Sequence, residues 1–124
     1  EPWNYNKISE TVMIDFLRLR HRLIPYLYTM NYRAYKDSIP LITPLYYIDK
    51  SYEAYTCNRN EYCFGSEMIV SPITSKVDCV TQMGCANTYI PDGIWFDFFT
   101  GRQYNGGQRY KIYRDIYTIP VLVK

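Results

Sequence analysis

At 124 residues the chain has room for one domain built on one hydrophobic core. An apolar content of 48% excludes a disordered chain, and a net charge of +2 on scattered basic residues argues for neither a nucleic-acid nor an anionic-membrane partner. No apolar run approaches the roughly 18–20 residues that span a bilayer, and the N-terminus lacks the basic, apolar, small-residue order of a signal peptide.

In chain order, the first predicted element is a helix from about Ser9 to Tyr35. Val12, Phe16, Leu19, Leu23, Leu27, Met30 and Ala34 recur in steps of four and three and so stack in one stripe. Met13, Leu17 and Ile24 widen the stripe to one side, a breadth that calls for more than one neighbour. Pro25 interrupts the pattern from the polar side, removing one backbone hydrogen bond and crowding the carbonyl of His21. A single kinked helix is the expectation, ended by Asp37-Ser38-Ile39-Pro40, where Pro40 drives Ile39 out of helical conformation.

Strands and turns follow. Leu41 to Ile48 is a first strand, at an edge or bulge because of Pro44, and residues 49–60 are a polar loop. Glu67 to Ile73, Val77 to Met83, Thr88 to Ile90 and Ile94 to Phe99 are further strands, with a tight turn at Gly84. Asn105-Gly106-Gly107 suits a hairpin, and Arg109 to Tyr113 with Tyr117 to Val123 forms a last one across Arg114-Asp115. Short strands spaced by turns indicate an antiparallel β-sandwich.

The four cysteines, Cys57, Cys63, Cys79 and Cys85, fall as two pairs with five residues between partners, which is not zinc-ribbon spacing. Four free thiols in a cytoplasmic protein are expected, with one or two disulfides, in any of three pairings, left open. Fifteen tyrosines suit strands that bury a ring and wet its hydroxyl; a sugar-stacking surface is the alternative.

Chemistry is harder to find. Of twelve acidic residues, Asp97 between Phe96 and Phe98 is the most tempting, but it fits better as a residue bonding backbone amides near Gly101. His21, the single histidine, lies between Arg20 and Arg22 on a helix face and has no partner nearby for catalysis. No residue is assigned as catalytic, substrate-binding or metal-ligating, and no cofactor is expected.

Several segments together carry a family likeness. They are Glu1-Pro2-Trp3, then Leu19, Arg20, Leu23, Pro25, Tyr26 and Tyr28 on the helix, then Pro40-Leu41-Ile42-Thr43-Pro44-Leu45 and Phe64 through Ile73. Tyr89 to Asp97, Thr100-Gly101, Gly106-Gly107 and Ile119-Pro120-Val121 complete the series in register. In this order the chain resembles the stretch of a family 31 glycoside hydrolase where the catalytic barrel ends and a C-terminal sandwich begins. Thr43 stands where relatives commonly carry an arginine, and Asn60 where they often carry an aspartate, departures that bear on subfamily.

The resemblance implies a mainly β chain with one long N-terminal helix: residues 1–38 as the last helix of a (β/α)8 barrel, one side toward the barrel and the other toward the sandwich, and residues 39–124 as the proximal C-terminal β-sandwich. The parent would be a retaining hydrolase of α-linked sugars acting through two aspartates upstream of this segment. The missing initial Met and the strand-like end at Lys124 lead to the expectation of an excised piece, supporting the barrel and catalysing nothing itself. The isolated piece is expected to self-associate. Two rivals stand beside this reading: a glycan-binding module using exposed tyrosines and Trp95, and a secreted, disulfide-stabilised interaction domain.

Overall fold

The computed structural model describes residues 1–56 and 60–124. It divides into two units, Glu1–Pro40 and Leu41–Lys124.

The first unit is helical. Pro2–Asn4 makes a short 3-10 turn, and Asn6 then caps α1 (Lys7–Arg22) by accepting from the Ser9 amide at 2.9 Å. Arg20, His21 and Arg22 crowd its last turn, where cations offset the helix dipole. In place of one kinked helix there are two: α1 stops at Leu23, and α2 (Ile24–Asp37) starts beyond it. Pro25 is the reason. It has no N–H to continue the ladder, but it is well tolerated in a first turn, so the chain restarts there. Ser38, in left-handed conformation (φ 57°), closes α2. No described helix is long and apolar enough to cross a membrane.

The second unit holds two antiparallel sheets. The larger runs β1-β2-β3-β8-β5-β6, from β1 (Ile42–Pro44), β2 (Tyr62–Phe64), β3 (Met68–Val70), β5 (Ile94–Asp97), β6 (Gln103–Asn105) and β8 (Val121–Val123). The smaller pairs β4 (Gly84–Ile90) with β7 (Gln108–Arg114) over seven residues, Gly84 opposite Arg114 and Ile90 opposite Gln108. β1 lies at an edge, as Pro44 suggests. It is shorter than expected, because Leu45–Tyr47 turns into a 3-10 segment. A short helix, α3 (Tyr52–Thr56), occupies part of the stretch read as loop.

Alternation builds the core. Trp95 and Asp97 of β5 point inward while Ile94 and Phe96 point out; Tyr104 of β6 and Ile112 of β7 also point inward. Trp95, Tyr104 and Ile112 join Leu45, Ile69, Ile90 and Leu122 in one cluster between the sheets. Each fully buried large apolar side chain contributes roughly 1.5–3 kcal/mol.

Four expectations are corrected. Val77 to Met83 forms no strand: Asp78 Oδ1 accepts from the Val80 and Thr81 amides at 3.0 and 2.7 Å, and this local turn outcompetes extension. Gly84, expected in a tight turn, instead opens β4. The segments on either side of Arg114-Asp115 do not pair with each other, since β7 joins β4 while β8 lies between β3 and β5. Gly106-Gly107 likewise links no hairpin but carries the chain from β6 in one sheet to β7 in the other. Gly106 donates to the Gly93 carbonyl at 2.7 Å, and a side chain there would collide with the Pro91 carbonyl oxygen, so only glycine fits this crossing.

Candidate functional site

Two acids are buried among the described residues, Glu61 and Asp97, and each is engaged with backbone. Asp97 ends β5. Its Oδ1 accepts from the Phe99 and Thr100 amides at 3.0 and 2.9 Å, and its carbonyl accepts from Gly101 at 2.8 Å. This is the amide-bonding role expected of it near Gly101. A partner not foreseen is Arg114 of β7, which donates to Oδ2 with most of its side chain covered. A carboxylate held by two amides and a guanidinium is a structural anchor.

Glu61 was not singled out by its sequence context. It precedes β2, and its Oε1 accepts from the Tyr89 amide of β4 at 2.7 Å. Its Oε2 has no hydrogen-bond partner in good geometry among the described residues. Burial pushes its pKa up to about 7, against weaker opposing effects from the Tyr89 amide, the Arg109 cation and the Ser71 hydroxyl. The signal in the sequence was slight: an acid immediately before the aromatic and apolar run Tyr62-Cys63-Phe64.

His21 is exposed on α1, with Nδ1 2.9 Å from the Leu17 carbonyl. Trp95 is 3% exposed and donates from Nε1 to the Pro91 carbonyl at 2.9 Å, which leaves it no face for a sugar. The exposed rings Tyr46 and Tyr55 stack on each other at 4.8 Å, and Tyr47 is tilted 39° from Tyr46, so these three do not share a plane. Cys63, Cys79 and Cys85 are free thiols, and burial raises the pKa of Cys63; Cys57 lies outside the described residues.

The family model for the glycosyl hydrolase family 31 C-terminal domain matches residues 38–124. The chain belongs to glycoside hydrolase family 31. Over its whole length it is 30% identical to alpha-glucosidase 2 of Bacillus thermoamyloliquefaciens, covering 15% of that protein. Among solved family 31 structures, an alpha-xylosidase from a soil metagenome, complexed with xylose, superposes with a TM-score of 0.86 at 28% identity, across all of this chain and 18% of the xylosidase. A Flavobacterium johnsoniae family 31 dextranase, complexed with glucose, does so with a TM-score of 0.85 at 28% identity, across 15% of its length. The chain thus spans less than a fifth of these relatives.

Proposed function

We propose that this chain is the non-catalytic segment following the active site of a retaining α-glycosidase, and that it supports the catalytic barrel. In this reading residues 1–38 are the last helical part of the barrel and residues 39–124 the proximal C-terminal sandwich. The parent acts on α-linked glucosides or related oligosaccharides. The observation that carries the reading is the match of residues 38–124 to the family's C-terminal domain in a chain covering 15% of alpha-glucosidase 2.

The chain's own carboxylates support it. Retaining hydrolysis needs two carboxyl groups about 5–5.5 Å apart across a sugar. Asp97 is committed to Phe99, Thr100 and Arg114, and Glu61 to Tyr89, so each holds a strand end or a sheet junction. The three described free thiols favour a cytoplasmic protein.

The test is release of p-nitrophenol from an α-glucoside by the 124-residue chain. None is expected. Turnover that disappears in Asp97→Asn or Asp92→Asn would overturn the non-catalytic reading.

A further inference from the structure

We propose that Glu61 is a proton-operated clasp between the two sheets, closed when its carboxyl is neutral and strained when it is ionised. Glu61 leads into β2 of the larger sheet, and its Oε1 holds the Tyr89 amide of β4 in the smaller one at 2.7 Å. The residue is 7% exposed. One oxygen is therefore fixed by the fold, while Oε2 lacks a partner in good geometry among the described residues.

Burial favours the neutral form over the weaker opposing pull of Arg109, the Tyr89 amide and the Ser71 hydroxyl. Arg109 of β7, opposite Tyr89 in the smaller sheet, is the cation that acts on Glu61, but its guanidinium already donates to Glu53 of α3. Cys63 shares the Glu61 segment; its thiol is kept protonated by burial first and by the Glu61 charge besides, so it adds no charge of its own. The Tyr89 phenol accepts from Ser51 at 3.3 Å and faces Asp49 and Asp92. Beyond β3, the Ser71 hydroxyl accepts from Thr88 at 2.9 Å and faces the carboxyl. A protonated Glu61 keeps its Oε1 acceptor for Tyr89 and carries no charge at the buried, unpartnered Oε2. An ionised Glu61 leaves a buried charge that shares the Arg109 cation with Glu53, the costly arrangement.

The direction of the pH effect follows. Folding raises the Glu61 pKa from 4.5 to about 7, so between those values the folded chain holds a proton that the unfolded chain has released. The stabilisation is complete below 4.5 and is lost as pH rises through about 7. The separation of the two values corresponds to at most about 300-fold in the folding equilibrium.

The experiment is thermal unfolding of the full 124-residue chain from pH 5 to 8.5, beside Glu61→Gln, with the Tyr89 amide resonance followed over the same range. The wild-type chain should lose thermal stability as pH rises. The variant, which keeps the acceptor but cannot ionise, should lose much less. The Tyr89 amide should shift with a midpoint near neutrality in the wild type and stay still in the variant. A wild-type profile as flat as the variant's, or a Tyr89 midpoint in the ordinary carboxylate range, would overturn the clasp. If Glu61→Gln does not fold, the wild-type Tyr89 titration alone decides.

Discussion

Arg114, the last residue of β7, donates to Asp97, the last residue of β5, and so ties the smaller sheet to the larger across their ends. Asp97 is wholly covered and the Arg114 side chain nearly so, which sets this pair apart from the open Lys7–Glu10 and Asp15–Arg18 pairs on α1. Exposed pairs of that kind contribute little, whereas removing one partner of a buried pair costs about 3–5 kcal/mol. Asp97→Asn keeps an acceptor for Phe99 and Thr100 but leaves the guanidinium without its counter-charge. Denaturant titration should show a loss in that range, and Asp97→Asn combined with Arg114→Met should recover much of it. A single-variant loss below about 1 kcal/mol would mean that the pair is not holding the sheets.

Trp95 should behave as a core residue. Its ring is buried in the cluster between the sheets, and its indole N–H is satisfied by Pro91. Truncation to Ala removes a large apolar volume and leaves that carbonyl without its donor, a cost of about 3–5 kcal/mol. Calorimetry should find the variant unfolded or melting far lower. Normal melting with lost retention on immobilised α-glucan would instead point to a glycan-binding module.

The helical unit should promote association of the isolated chain. No residue of α1 is fully buried, and Ile8, Leu17 and Ile24 are exposed. An open, mainly apolar groove of about 460 Å3 runs along Glu1, Pro2, Tyr5, Met13, Phe16 and Leu17. Contiguous apolar surface of this kind favours contact with another chain. Sedimentation should detect dimers or larger species, and Leu17→Glu should shift them toward monomer. A well-folded wild-type monomer at micromolar concentration would count against the prediction.

Local features were legible in the sequence where one residue decides the outcome. Pro44 marked an edge strand, alternation from Ile94 onward marked β5, and Asp97 announced its amide contacts. Pairing was not legible, because periodicity records which way a side chain faces but not which strand lies alongside. Gly106-Gly107 has the composition of a hairpin turn and serves as a crossing, fixed by contact with Pro91 fifteen residues earlier in the chain. Val77 to Met83 has apolar residues at strand spacing, yet Asp78 captures the amides first. The partners of both buried acids, Arg114 for Asp97 and Tyr89 for Glu61, are remote in sequence and visible only after folding.

β8 sits in the middle of the larger sheet although residues 121–123 follow every other strand in the chain. On one side it pairs with β3, on the other with β5, and Leu122 is wholly buried between them. Until β8 is available, β1-β2-β3 and β5-β6 are two separate ribbons, each presenting an open edge to any other strand nearby. A ribosome making this segment therefore exposes both edges until residues 121–123 have left the exit tunnel. A chain cut before Val121 should remain in that state, prone to capture by chaperones or by other nascent chains.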